Sequence, residues 1–318
     1  MNIREVIDYI DSVEKIAVTF HVSPDGDAVG SVLSLLQGLR KYGKEAYIIS
    51  KDKPADNLGF LPYAKEITGE HTLPTEGTDC VIVLDCGNVE RIAGDIEKFE
   101  GKVLNIDHHL SNDKYGYINY VDTDASSSCE VVYDLLTAMN VDIDENIART
   151  LYTGLVTDTG SFRYSNATKK THNIAGELVS NNIKHDEIHR ELFDNKSFGK
   201  LKLIGKVLDD MELVCGGKLV VMRITKEILK LIDTDKEDTG DLVSFGNKVE
   251  GAKGCILLKE ADDAVKISFR SKDTLDVRKI AELFGGGGHT KAAGAKIVGV
   301  TMDEAKAMII EKLEKELI

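Results

Sequence analysis

The sequence predicts an α/β protein in which a mainly parallel N-terminal sheet flanked by helices is followed by a second, smaller α/β domain. Three observations lead there. Helix-period and strand-like segments alternate through the first half, the pattern of a parallel sheet covered by helices. The strand-like runs at 80–84 and 103–106 are nearly continuous in apolar residues, as expected for strands buried on both faces. The length, 318 residues, is enough for two domains at roughly 150 residues each.

Taken in order, Ile3, Val6, Ile7, Ile10 and Val13 fall on one helical face, residues 16–20 form a short β-rich run, and 28–42 read as a helix stopped by Gly43. The strands at 80–84 and 103–106 repeat the pattern. After a helix at about 168–182, the charged stretch HDEIHRELFDNKSFGKLKLIGK reads as a helical connector. Strands are then expected at 219–224, 255–259 and 265–270, helices at 276–284 and 302–317, and a glycine run stands at 285–288. The division expected is 1–184, a connector over 185–206, and 207–318.

The composition is 42% hydrophobic and 30% charged, so the chain can bury real cores. Lys+Arg 40 against Asp+Glu 54 gives −14, which argues against tracking along duplex DNA, since that requires surplus cations. No apolar run approaches the ~18 to 20 residues of a membrane span, and the charged N-terminus is unlike a signal peptide, so a cytoplasmic protein with no membrane association is expected. Five cysteines without a C-x-x-C pair suggest neither a disulfide framework nor a zinc knuckle; most are expected to be buried small hydrophobes.

The chemistry gathers at strand ends. In His21-Val-Ser-Pro-Asp25-Gly-Asp27, a tight turn can aim two carboxylates into one pocket with His21 joining from the strand terminus, a ligand set suited to a divalent cation. The same residues also fit a solvated turn with Asp25 or Asp27 capping the next helix. Asp85, Asp107-His108-His109 and Asp158 stand at comparable junctions, and open α/β sheets bind ligands at the carboxyl ends of their strands. Four consecutive glycines allow backbone N–H groups to converge on an anion, with His289 beside them; the P-loop pattern does not occur. Ser127 to Glu130 has the spacing of a capping box. His185 and His189 are one helical turn apart but lack the zincin Glu after the first His, and read as a connector face.

Five segments, HVSPDGDAVG, VLDCG, Asp107-His108-His109, TGLVTDTGSF and GGGGH, occur in the order in which the chain resembles the DHH phosphoesterase family, in its branch with a C-terminal DHHA1 domain. The resemblance spans nearly the whole chain. It implies a DHH catalytic domain, a DHHA1 substrate-binding domain and an active site in the cleft between them. It further implies that His21, Asp25 and Asp85 hold one metal ion, and that Asp27, Asp85, His108 and Asp158 hold a second with Asp85 bridging. His109 would contact phosphate or assist the leaving oxygen, and Asp107 would orient a neighbouring histidine. Arg270, Gly286, Gly287, Gly288 and His289 would grip the far phosphate or sugar, with Ser127 as a further substrate contact. Mixed imidazole and carboxylate ligands favour two Mn²⁺ ions, with Mg²⁺ or Co²⁺ as alternatives. Such a pair activates water for attack at phosphorus, so no nucleophilic side chain is needed and Cys86 requires no catalytic role.

The function so implied is hydrolysis of short oligoribonucleotides such as pApA to mononucleotides and of pAp to AMP. The alternatives weighed are a cyclic-dinucleotide (c-di-AMP) phosphodiesterase and a non-catalytic nucleotide sensor. A family II pyrophosphatase has another type of second domain, and a RecJ-like exonuclease would bring a more basic channel. Short RNA and dinucleotides are thus the expected partners, and a homodimer is compatible with this reading.

Overall fold

The computed structural model describes residues 2–232, 239–272 and 274–317. The chain divides into two compact units, Met1–Asn195 and Lys196–Ile318. In the first, α1 (Ile3–Asp11) opens with a capping box between Asn2 and Glu5 and buries Val6, Ile7 and Ile10. β1 (Lys15–Thr19), α2 (Gly26–Lys41), β2 (Glu45–Ile48), β3 (Cys80–Leu84), β4 (Lys102–Asp107) and β5 (Ile118–Val121) follow, then α3 (Ser128–Ala138), α4 (Glu145–Asp158), α5 (Lys169–Ser180) and α6 (His185–His189). The strands form one parallel sheet in the order β2-β1-β3-β4-β5.

Burial of both faces explains why the centre of β1 and all of β3 are apolar. Ile16, Val18, Ile82 and Leu84 enter the large core shared with the helices. Ala17, Val81 and Val83 point the other way into a smaller cluster with Ile49, Cys86 and Ile92. α2 starts at Gly26 because Asp25 is its N-cap, accepting from Asp27 N and Ala28 N. α2 and α4 approach closely through small residues: a Cβ on Gly30 would meet Thr150 O at 2.6 Å, and Ser34 Oγ lies 2.7 Å from Thr150 Oγ1.

The stretch expected as one connector is divided. α6 runs into a π-turn at Arg190–Asp194, and after a break α7 (Phe198–Asp209) packs in the second unit. His189, expected on a solvated face, is half-buried with its ring against Tyr152 and 3.3 Å from that hydroxyl. The second unit continues with β6 (Glu212–Val214), β7 (Leu219–Ile224), α8 (Lys226–Ile232), α9 (Val243–Gly246), β8 (Gly254–Glu260), β9 (Ala264–Ser271), α10 (Val277–Glu282), β10 (Gly287–His289), β11 (Ala292–Val298) and α11 (Met302–Leu317). Its sheet is mixed, in the order β10-β11-β9-β8-β7-β6, with β7 and β8 the parallel pair. One face packs Val221, Ile256, Ile267 and Phe269 against α10 and α11; the other packs Val220, Met222, Cys255 and Leu257 against α7, α8 and α9.

The tight crossing of α2 and α4 makes a paired prediction. Gly30→Ala pushes a methyl into the Thr150 carbonyl and should lower stability by about 1–3 kcal/mol. Gly176→Ala, in an exposed stretch of α5 with nothing within 4 Å of its new Cβ, should raise it by about 0.5–1 kcal/mol. Urea denaturation of the two variants checks both signs.

Candidate metal centre

Three neighbouring parallel strands, β1, β3 and β4, deliver their carboxyl ends to one place, and α2, α3 and α4 bring the rest. His21 stands two residues beyond β1, its Nδ1 2.9 Å from Val22 O, which leaves Nε2 facing Asp85 Oδ2 at 3.5 Å and Asp25 Oδ1 at 3.9 Å. Asp25 spends Oδ1 on the amides of α2 and remains exposed. Asp27, in the first turn of α2, is buried and lies against the start of α3, where Ser128 N donates to its Oδ2 at 2.6 Å and Cys129 N to its Oδ1 at 2.9 Å. Helix N-termini suit such a carboxylate because their first amides lack internal partners.

Asp85 follows β3 with φ +53, a left-handed conformation unusual for a residue with a Cβ and common at functional positions. Ser128 Oγ donates to its Oδ1 at 3.0 Å, and His108 Nε2 and His109 Nδ1 are each 3.6 Å from the same oxygen. His108 Nε2 is also 3.5 Å from Asp158 Oδ2 and 3.9 Å from Asp27 Oδ2. Ligand atoms of His21, Asp25 and Asp85 lie within 4.8 Å of one another, as do those of Asp27, His108 and Asp158, and those of Asp85, His108 and His109. The structure thus brings together all six residues expected as ligands.

Asp107 is wholly buried at the end of β4. It accepts from His108 N at 2.8 Å, lies 2.7 Å from His109 Nδ1, and receives Asn112 Nδ2 at 2.6 Å. The hydrogen bond to Asp107 lifts the pKa of His109 to about 9 against the opposing effect of burial. Burial works against ionisation of Asp85, yet the imidazoles of His21, His109 and His108 hold it below the usual carboxylate range. Asp27 is pushed well above that range by burial and by the carboxylates of Asp85, Asp158 and Asp25, and Asp158 rises to about 6, chiefly through burial. Oxygen and imidazole donors around an excess of buried negative charge fit divalent cations, whose charge would relieve that repulsion.

The other expected contacts fare differently. Ser127 is fully buried and is the N-cap of α3, its Oγ accepting from Glu130 N at 3.1 Å, while the Glu130 carboxylate turns to Ser126 Oγ and Thr171 Oγ1. Ser127 is therefore not placed to meet a substrate; its neighbour Ser128 reaches Asp85. The glycine run is not an open loop of four convergent amides. Gly285 N and Gly286 N donate back to Glu282 O and Ala281 O, ending α10, and Gly287 and Gly288 enter β10. Arg270 is half-buried near the end of β9, with Nη1 2.9 Å from Phe269 O. Register aligns Arg270 with Ala292 and Ala292 with position 289; the His289 side chain lies outside what the structure describes. Sequence reasoning missed Ser128, Asn112 and Asn166, whose Nδ2 ties Ser126 O to Asp158 O; a polar residue just outside a ligand motif is the only signal each offers.

Residues 15–155 match the DHH family, N-terminal domain, and residues 216–317 match the DHHA1 domain. Over 317 residues the chain is 34% identical to the bifunctional oligoribonuclease and PAP phosphatase NrnA of Thermus thermophilus, covering 99% of this chain and 94% of that one. The chain belongs to the DHH family. The Bacillus subtilis protein of the same name is 33% identical, with 98% of each chain covered. An exopolyphosphatase-related protein from Bacteroides fragilis superposes on this DHH protein with a TM-score of 0.90 at 28% identity, covering 99% of this chain and 97% of that one. The fold also resembles an exonuclease RecJ structure bound to manganese, at TM-score 0.55 and 14% identity, over 97% of this chain and 93% of that one. No helix among the described residues is long and apolar enough to cross a membrane.

The raised Asp27 and Asp158 carboxyls fix a sign. Both hold protons in the folded, cation-free protein at pH values where the unfolded chain has released them, so their contribution to stability grows as pH falls from about 7 toward 5. Raised His109 acts in the same direction as pH falls from 9. Chelated protein should therefore melt higher at pH 5.5 than at pH 7.5, and saturating divalent cation should shrink that difference. Thermal melts at the two pH values, with and without cation, test it.

Proposed function

We propose that this protein is a two-cation phosphoesterase that hydrolyses short oligoribonucleotides such as pApA to mononucleotides and pAp to AMP. The observation that carries the reading is the chain of three ligand clusters, linked through Asp85 and His108, beside the Asp107–His109 pair, in a chain that matches, almost end to end, relatives named for that chemistry. His21, Asp25 and Asp85 would hold one ion and Asp27, Asp85, His108 and Asp158 the other. Four carboxylates match the charge of two divalent ions, and the two imidazoles favour Mn²⁺ over Mg²⁺, with Co²⁺ also suited. Bound there, the ions supply Lewis acidity to a phosphoryl group and to water.

The residues do the remainder. Ser128 and the first amides of α3 hold Asp85 and Asp27 in place, so the ligands need not reorganise when substrate arrives. Asp107 fixes the ring of His109 through Nδ1, leaving Nε2 to donate to a phosphoryl oxygen or to the leaving sugar oxygen. Water is the nucleophile: burial pushes the Cys86 thiol up to about 11 and the Cys129 thiol well above its usual value, and the Ser128 hydroxyl is committed to Asp85. A new O–P bond forms, the P–O bond to the leaving sugar oxygen breaks, and that oxygen takes up a proton. Arg270, the Gly287–Gly288 strand and His289 would bind the substrate's other end in the second unit.

The deciding experiment compares pAp, pApA, a five-nucleotide RNA, a 20-mer and c-di-AMP at equal concentration with Mn²⁺. Turnover should be greatest with the short linear substrates, because each added nucleotide needs basic contacts that a chain of net charge −14 supplies poorly, and a cyclic dinucleotide offers no terminal phosphate. Cleavage of c-di-AMP or the 20-mer at least as fast as pApA would reject the short-substrate assignment. Asp85→Ala removes a donor assigned to both ions and should lower pApA turnover by more than about a hundredfold. Near-normal turnover by a folded Asp85→Ala protein would reject the two-cation reading.

A further inference from the structure

On the phosphoesterase reading above, we propose that Arg91 is a substrate-contact residue whose guanidinium grips a non-bridging oxygen of the phosphoryl group presented to the His21–Asp25–Asp85 cluster. The backbone puts it there. Val22 N donates to Arg91 O at 2.7 Å and Ala93 N donates to Phe20 O at 2.8 Å, and His21 and Ile92 form a β-bridge between them. Residues 91–93 therefore run antiparallel along the segment that carries His21, and Arg91 Nη2 lies 3.4 Å from His21 Nδ1.

That approach can be a hydrogen bond only while Nδ1 keeps its lone pair. An imidazole whose Nε2 lone pair faces a cation carries its proton on Nδ1, and here Nδ1 has Val22 O at 2.9 Å to receive it. With a cation on Nε2, Nδ1 would have no lone pair to offer, and the guanidinium would lie against the ring edge with its donors free for another acceptor. Arg4, Arg40, Arg223 and Arg278 each pair with a carboxylate. Arg91 makes no ion pair among the described residues, and it is exposed. An uncommitted planar fork of donors, pinned by main-chain hydrogen bonds at the rim of a site for anionic substrate, matches the geometry of a phosphoryl group. The guanidinium would also add positive charge outside the ligand set, where it does not compete for the carboxylates.

Arg91→Ala and Arg91→Lys are compared with wild type for Mn²⁺ binding by calorimetry and for pApA hydrolysis with and without added guanidinium chloride. Mn²⁺ stoichiometry and affinity should stay at the wild-type level. Turnover of pApA should fall about a hundredfold in Arg91→Ala, less in Arg91→Lys, and free guanidinium should restore part of the loss in the alanine variant alone. Unchanged turnover in Arg91→Ala would overturn the proposal. So would loss of Mn²⁺ binding, which would make Arg91 a prop for His21, and so would a turnover loss that guanidinium does not relieve. The wild-type arm separates the two levels: an inactive wild-type protein overturns the phosphoesterase reading itself, whereas an active one with an unaffected variant overturns only the role of Arg91.

Discussion

Carboxylates crowded into a largely buried space are what the rest of the first unit has to accommodate. Asp27, Asp85 and Asp158 meet around His108, with Asp25 at the rim beside His21. Burying like charges together is costly unless each gains a compensating partner. Asp85 finds three imidazoles and a serine hydroxyl, and Asp27 finds two amides at the head of α3. The compensation is incomplete, since Asp27 and Asp158 still resist ionisation. The protein supplies the donors, and divalent cations would close the remaining charge.

This constraint explains features remote from the centre. α3 must begin where its first amides can reach Asp27, which is why Ser127 is spent as its N-cap and why Glu130 is buried, tied to Ser126 and Thr171. α4 must end at Asp158, and Asn166 ties that residue's carbonyl to the Ser126 carbonyl, joining the ends of the two helices that frame the second cluster. A Cβ on Gly154 would run into Asp27 Oδ1 at 2.6 Å, so α4 can carry no side chain where it passes that carboxylate. Backbone strain at Asp85 fits the same account: a residue in the left-handed region costs about 1–3 kcal/mol and persists where its surroundings dictate it, here Ile106 O accepting from Asp85 N.

The parts legible in the sequence were those with a local signature. β1, β3 and β4 announced themselves as apolar runs ending in acids and histidines, and such ends of a parallel sheet necessarily lie side by side. His21, Asp25, Asp27, Asp85 and His108 stood out for that reason; Asp158 ends α4, and its place in the ligand set came with the family resemblance. β2 and β5 were not, because edge strands of four residues with mixed burial carry little periodicity. Partners set by distant segments were also silent: nothing in Ser128 signals a hydrogen bond to Asp85 across 43 positions, nor in Arg91 a seat beside His21. The glycine run was misread locally. Consecutive glycines suggest convergent amides, but α10 needs the first two donors for its own end, and β11 takes the others into strand pairing.

That pairing gives the second unit a different surface from the one its glycines advertise. Residues directly opposite in a sheet share a face, and the register lines up position 289, Ala292 and Arg270 across β10, β11 and β9, with Gly287, Gly294 and Ser268 in the next row. Gly287, Gly294 and Ser268 leave little side chain on the sheet face beside the Arg270 guanidinium, and on the proposed function a base or ribose would lie there while its phosphate meets Arg270. Recognition of this kind would take one end of a small molecule and add little for each further nucleotide. It agrees with the net charge of −14, which disfavours a long polyanion everywhere except where cations or isolated arginines reverse the sign. On the proposed function, the acidic ligand set and the sparse basic contacts would select for the same substrate, one with a phosphoryl group to present and a short body behind it.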